Sequence, residues 1–455
     1  MTWLTVLVLL VVAFALILRW RRPAWYWMTF GVTFATCRVL NRYRTAMEAC
    51  RLVVSHTPAK VVTAALLQKP LPPARPATIR RIRPTRTGLV LRLKLRPGQD
   101  AESFTIAADR LRHAFTMHSV TARELGPSVV ELQMTGFDVL KRIQMPTIAS
   151  ASLLRVPVAL IDDGGVYYRD YRAVPHSLIL GATQSGKSVM QRCLVTELAP
   201  QPVALVGIDC KGGVQLAPLA RRFSALADNA DDAADMLDAL VARMPAIYDL
   251  IRHEQRISAD TTDEEITDDI WGLPEYLRPV PIVVLVDEVA ELLLYANTAE
   301  KRRRERIVTA LIRLVQLGRA AGIYVEICGQ RFGAELGDGV TMLRAQLTGR
   351  IAHRVNDESS AKMAFADISP EAVWAATQIT NDRPGTAIVG DSTGGWSKVR
   401  TPHISLRRAV NVCNRYADVT PDLHELAPFR PVFAFASTDP THAPASPVAE
   451  LPDAV

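Results

Sequence analysis

Polarity along the chain changes character several times. Nothing is charged from Trp3 to Leu18, and Leu4 to Val12 is nearly all aliphatic, with no polar face. With its flanks this run reaches the ~18 residues at which a spanning helix forms. Arg19, Arg21 and Arg22 follow directly, and no small-x-small cleavage site stands at that end of the run, so the pattern predicts an uncleaved anchor rather than a signal peptide. A second, shorter apolar stretch, Ala24 to Cys37, holds Trp25, Tyr26, Trp27 and Phe30, and Arg38, Arg42 and Arg44 come after it. A hairpin of two spans would put Arg19, Arg21 and Arg22 outside, against the positive-inside tendency. One span with an aromatic interfacial helix removes that conflict, whereas a hairpin leaves both termini in the cytosol; both arrangements stay open.

An amphipathic helix is expected next, then a proline-rich joint, Pro70 to Pro76, too dense in proline to continue a helix. Gly88 to Leu95 alternates as a strand does, Ala101 to Met117 reads as a helix, and Ser128 to Met134 as a second strand. Arg80, Arg81, Arg83 and Arg86 precede the first of these, as a solvated surface or as a contact to DNA or membrane. From about Val156 to Val399 strands alternate with helices, the pattern of a doubly wound α/β domain. Beyond about Pro421 the chain is rich in proline and alanine without periodicity, which predicts disorder.

These patterns divide the chain into an anchor (1–45), a helix and linker (46–76), a small α/β module (77–150), a larger doubly wound α/β domain (151–405), and a C-terminal helix with a disordered tail (406–455).

Composition narrows the picture modestly. Of the 455 residues 49% are hydrophobic and 22% charged, which excludes a disordered protein. A formal net charge of +7 suits nucleic acid or an anionic membrane surface without choosing between them. Six cysteines stand apart, with no CxxC pair, which argues against a zinc site or a disulfide framework and fits a reducing cytosol.

The chemistry lies in three strand ends. Gly181-Ala182-Thr183-Gln184-Ser185-Gly186-Lys187-Ser188 fits G-x-x-x-x-G-K-[ST], with a strand-like run before it and a helical apolar face after it. The glycines let backbone amides close around a phosphate, and the helix N-terminus adds a favourable dipole. Lys187 would neutralise the β- and γ-phosphates of ATP, and Ser188 would bind Mg2+. About a hundred residues on, Pro281 to Val286 delivers Asp287 and Glu288 to a strand's carboxyl end. Asp287 is expected to hold the magnesium through water, and Glu288 to act as general base on the attacking water. A third strand, Gly322 to Gln330, ends in an amide suited to sensing the γ-phosphate or orienting that water. Phosphate loop and base together predict ATP hydrolysis rather than nucleotide binding alone.

In these motifs the sequence resembles the FtsK/SpoIIIE motors. The resemblance rests on Pro175 to Leu180, Ile208 to Lys211, Val286 to Leu292, Gly318 to Ile323, Gly329 to Arg331 and Arg350 to Val355, in the family's order over residues 155–400. It implies a RecA-like ATPase that closes as a homohexamer around double-stranded DNA. The whole chain looks most like the TraB/TraSA-like transfer proteins of actinobacterial conjugative plasmids, with a short membrane anchor and the motor in the cytoplasm. One departure is that Thr401 to Val455 offers too little patterned chain for the family's DNA-reading winged helix. A ring motor also needs an arginine from the neighbouring subunit. Arg319 and Arg350, with Arg331 and Arg354, lie in motif positions, and the sequence does not choose among them. Lys301 to Arg306 opens a helix and reads as a solvated face, with phosphate or subunit contact as its rival. Other classes stay in view: a type VII-like secretion ATPase moving protein, for which a single phosphate loop is unusual, and a non-hydrolysing membrane adaptor, which would not need Glu288.

Overall fold

The computed structural model describes residues 2–54, 66, 74–143, 145, 152–258 and 266–432. A 20-residue helix, Thr2–Arg21, comes first and leaves Leu7, Leu9, Leu10, Phe14, Leu16 and Ile17 exposed. Among the described residues no helix is long and apolar enough to cross a membrane, so the fold by itself does not establish the expected anchor.

The second apolar stretch takes a different course from a second span. Its chain runs on from Pro23 through a π-helical turn, Trp27–Gly31, into the helix Val32–Ala49. Ala35, Val39, Tyr43 and Met47 recur at about one turn and are buried, together with Trp27, against Leu89, Leu91, Phe104 and Leu111. The Tyr43 hydroxyl donates to Ala77 O at 2.8 Å, and Trp27 Nε1 to Thr85 O at 3.2 Å. Gly136 makes room for the indole: a Cβ there would lie 1.9 Å from a ring carbon of Trp27. This face packs on protein, and the helix carries on past residue 45 to Ala49.

Short strands β1 (Val53–Val54) and β2 (Arg75–Pro76) pair antiparallel and bring the two ends of the linker together. Pro70, Pro72 and Pro73 lie outside the described residues. The small module has four strands where the sequence suggested two: β3 (Thr78–Pro84), β4 (Gly88–Lys94), β5 (Ser119–Gly126) and β6 (Val129–Thr135), antiparallel in the order β3-β4-β6-β5. Arg80, Arg81 and Arg83 therefore sit within an edge strand rather than ahead of the first. Strands β3 and β5 escape the eye because their exposed face is charged and their buried positions are few. The helix expected over 101–117 is two, Ala101–Ile106 and Ala108–Phe115, capped by Asp100 at Ser103 N and closed by Thr116 at φ 54.

The larger domain is a single ten-stranded sheet. In chain order its strands are β7 (Arg155–Ile161), β8 (Val166–Asp170), β9 (His176–Leu180), β10 (Ala204–Ile208), β11 (Ala225–Ala227), β12 (Ile282–Val286), β13 (Ile323–Gly329), β14 (Gly349–His353), β15 (Thr386–Gly390) and β16 (Trp396–Arg400). Their spatial order is β11-β10-β12-β13-β9-β14-β15-β16-β7-β8. The first six are parallel and the last four antiparallel. Buried on both faces, the central strands are almost continuously apolar. Alternate residues split between layers. Leu178, Val206, Val284 and Val286 face the helices Ala230–Glu254 and Thr298–Leu317, whereas Ile179, Leu205, Val283 and Leu285 face Lys187–Leu198. Arg169 of β8 and Glu326 of β13 form a fully buried ion pair.

Two further segments resolve differently, at least in part, from their sequence reading. Arg304, in the basic run, is buried and donates to Leu336 O and Asp338 O at 2.9 and 2.8 Å, while Arg303 and Arg306 pair with Asp231 and Asp235 of the neighbouring helix. Arg304 is thus an internal clamp, while Lys301, Arg302 and Arg306 stay exposed, as a solvated face expects. Past the C-terminal helix Leu406–Arg415, the chain after Pro421 stays ordered to residue 432 and buries Leu423 and Leu426. Two anchoring residues leave no period to read. The remainder of the expected disordered tail, 433–455, lies outside the described residues.

The segment joining the two domains is tied to the larger one. Asp138 pairs with Arg383 at 2.5 Å, Arg400 Nη1 donates to Leu140 O at 2.8 Å, and Thr87 Oγ1 to Asp163 O at 2.6 Å.

Candidate active site

Strand β9 ends at Leu180 and the chain turns through Gly181 to Gly186 before Lys187 starts a 12-residue helix. Gly186 has φ 112, and a Cβ there would stand 2.4 Å from Gly385 N, so only glycine fits. The loop is braced from three sides. Gly181 N donates to Gly329 O at 3.1 Å, Ala182 N to Arg354 O at 2.8 Å, and Gly385 N to Ser185 O at 2.9 Å. The Arg354 guanidinium adds a bond to Thr183 O at 3.0 Å. Ser185 Oγ is buried without a protein partner.

β12 lies two strands from β9 across β13, and its carboxyl end presents Asp287 and Glu288, both buried. Glu288 Oε2 lies 2.9 Å from Lys187 Nζ and 3.1 Å from Lys211 Nζ; its Oε1 accepts from Gln330 N at 3.1 Å. Burial opposes ionisation of Glu288, but Lys187 and Lys211 outweigh it and hold the carboxyl below its usual range. Asp287 is pushed the other way, by burial first and then by the charge of Asp209, against the pull of Lys187 and Lys211. Its Oδ1 has no protein partner. Two adjacent carboxyls with opposite shifts suit two roles.

The sequence reading did not include Lys211 among the site residues. It reaches the site because Asp209, at the end of β10 beside β12, accepts from Gln215 N and Leu216 N at 2.8 and 2.9 Å and folds the following loop back. The available signal was the parallel between Ile208-Asp209 and Val286-Asp287, two apolar strands ending in an acid.

The structure thus brings together Lys187, Asp287, Glu288 and, through its main-chain nitrogen, Gln330; the Gln330 side chain is exposed. Ser188 sits half-buried in the first turn of the loop helix. The arginines are dispersed. Arg350 is enclosed, with Nη2 on Arg344 O at 2.8 Å, and burial lowers its pKa to about 10. Arg350 is thus turned into its own subunit, and its Nη1 has no protein partner. Arg319 lies beyond the opposite, amino end of β13 and pairs with Asp268 at 3.3 Å. Arg331 pairs with Asp357 at 2.5 Å. Beside the loop opens a cleft of about 760 Å³ lined by Val189, Pro384, Gly385, Thr401 and His403.

Comparison with known proteins follows the same lines. The FtsK/SpoIIIE family model matches residues 139–334, and that of the actinomycete conjugal transfer protein N-terminal domain matches residues 13–136. The chain is 64% identical to the transfer protein TraSA of Streptomyces ambofaciens over 397 residues, 87% of this chain and 96% of that one. It is 30% identical to the DNA translocase FtsK of Streptomyces avermitilis over 202 residues, 42% of this chain and 21% of the relative. Among solved structures, the pCW3 conjugation coupling protein TcpA, in its monomer form with ATPγS, aligns over 83% of this chain and 98% of its own with a TM-score of 0.53. At 18% identity that likeness concerns the fold alone.

Proposed function

The chain belongs to the FtsK/SpoIIIE family, and from that premise we propose that it hydrolyses ATP to move double-stranded DNA in conjugative transfer. The observation that carries this reading is the convergence of Lys187, Lys211, Asp287, Glu288 and Gln330 N at adjacent strand ends. A relative named as a transfer protein at 64% identity and another named as a DNA translocase supply the substrate class.

The residues fit ATP and Mg2+. The cradle closed by Gly186 against Gly385 admits no side chain, and the partnerless Ser185 Oγ and Asp287 Oδ1 are buried polar atoms in want of a ligand. Ser188 and Asp287 would begin a magnesium shell that phosphates and water complete. When bound, the metal would neutralise charge on the phosphates. Lys187 would shift its ammonium from Glu288 toward phosphate, removing one of two counter-charges and making the carboxylate a better base. Gln330 N keeps Oε1 oriented, and Lys211 keeps Glu288 ionised. The cleft at Val189 and Thr401 has room for the nucleoside.

The helix Thr2–Arg21 would anchor the motor in the cell membrane. The exposed apolar side chains of this helix and the basic residues of its last turn support that reading, which rests on the sequence pattern and not on a span in the fold. A homohexamer would close through head-to-tail contacts, so the residue completing one site comes from the far side of the next subunit. Arg319, about 23 Å of strand away from the loop, is the candidate.

The test is ATP hydrolysis by the detergent-solubilised full chain, with and without linear duplex DNA, beside Lys187→Ala and Glu288→Gln. Stimulation by DNA that both variants lose supports the motor. Hydrolysis indifferent to DNA at low salt overturns it in favour of a protein substrate.

A further inference from the structure

At the foot of the N-terminal helix lies a cavity of about 720 Å³ that the ATPase reading leaves unused. Its size falls within the ~300–1,000 Å³ of ligand pockets. It opens between the end of that helix, the helix Val32–Ala49 and the segment 136–142. Four cations reach it: Arg19, Arg38, Lys141 and Arg142. None has a carboxylate partner among the described residues. Arg38 donates only weakly, to Thr116 O at 3.4 Å, and Arg19 lies 5.8 Å from the centre of the Tyr26 ring. The one carboxylate in the wall, Asp138, is already held by Arg383 at 2.5 Å. His118, 3.7 Å from the other oxygen of Asp138, has its pKa lowered, chiefly by burial, and adds no charge at neutral pH. The cavity therefore gathers like charges with nothing of its own to offset them.

Much of the outer wall is aromatic. Trp20, Tyr26 and Phe34 line it, and Trp20 and Phe34 are 70% and 66% exposed, with Trp25 beside them at 64%. Exposed indoles at the end of an apolar helix are what the interfacial zone of a bilayer favours. Leu16 and Ile17, exposed just above, continue the apolar surface away from the cavity. Unpaired guanidiniums below and apolar surface above match one kind of molecule, with a phosphate at one end and acyl chains at the other. A nucleic-acid phosphate would gain nothing from the aromatic and aliphatic part of this wall.

We infer that this cavity binds the headgroup of an anionic phospholipid in the leaflet from which the anchor emerges. Arg38 and Arg142 chelate the phosphate, Arg19 and Lys141 add charge, and the acyl chains lie along Leu16 and Ile17. The inference rests on the membrane-anchor reading above.

The full chain is reconstituted in vesicles of phosphatidylcholine alone and of phosphatidylcholine with phosphatidylglycerol. Two readouts are taken: resistance to carbonate extraction, and the phosphatidylglycerol retained per protein after re-purification in detergent. The wild type is expected to resist extraction from both vesicles and to retain phosphatidylglycerol selectively. Arg38→Gln/Arg142→Gln is expected to resist extraction equally while its selectivity falls roughly thirtyfold, from two lost interfacial charges. Extraction of the wild type by carbonate would sink the anchor reading and this site with it. A resistant wild type without lipid selectivity, or selectivity that survives in the variant, overturns the headgroup site alone.

Discussion

Replacing Gly136 by alanine tests whether the aromatic segment after the first helix is docked on the small sheet. The new methyl carbon would stand 1.9, 2.2 and 2.5 Å from three ring carbons of Trp27. Gly136 does not occupy the left-handed region, so the cost is the collision and not the backbone. A packed indole, 5% exposed and bonded to Thr85 O, has two ways out. A local shift of ring and strand costs about 1–3 kcal/mol, as overpacking does. Full expulsion of the ring gives up ~200 Å² of buried surface, about 5 kcal/mol, so the local shift wins. Hydrogen exchange of amides in β4, followed by mass spectrometry on the full chain, reads the local opening. It should accelerate roughly five- to 150-fold. Trp27→Ala alone should cost about 3–5 kcal/mol, and adding Gly136→Ala to it should cost little more, because the collision partner is gone. Unchanged exchange in Gly136→Ala, or single effects that add within ~0.5 kcal/mol, would refute the docking.

Lys211→Met should move the acidic limb of the ATPase pH profile to higher pH, because Glu288 loses a counter-charge that keeps it ionised. An unmoved limb separates Lys211 from the base. Arg169→Met leaves Glu326 buried and unpaired and should lower the urea-unfolding free energy by about 3–5 kcal/mol, while Arg169→Met/Glu326→Leu should regain most of it. His353 is held to a pKa of about 4, by burial first and then by Lys187, against the bond to Thr386 O. The unfolded chain takes up this proton near 6.5, so the contribution of His353 is complete above that pH and fades as pH falls toward 4, by on the order of 3 kcal/mol. Replacement with Gln should flatten that part of the stability profile; an unchanged slope would show His353 does not titrate there.

The phosphate loop and the Asp287-Glu288 strand were legible because each is local: a few consecutive residues carry both the chemistry and the strand that aims it. Lys211 was not, since it reaches Glu288 through a loop folded by Asp209 and no spacing encodes that return. Trp27 and Val39 look alike to a hydropathy count whether they face lipid or the Leu89–Leu93 face of a sheet; only the partner strand decides. Strands β3 and β5 carry charge on one side and few buried residues on the other, so their pairing with β4 and β6, not their own pattern, makes them strands. Among the arginines, motif position failed to separate enclosed Arg350 from exposed Arg319, because burial is a property of the neighbours.

The ties between the two domains have a mechanical side. An engine that hauls a strand pushes back on its mount with equal force. In the proposed motor that recoil would pass from the sheet through Arg383 and Arg400 into the segment at Asp138 and Leu140. The residue after Pro384 is Gly385, whose amide holds Ser185 of the phosphate loop. Tension on such a mount would be borne within two residues of the loop, at Gly385, so load on the cargo and turnover at the loop would share one short lever.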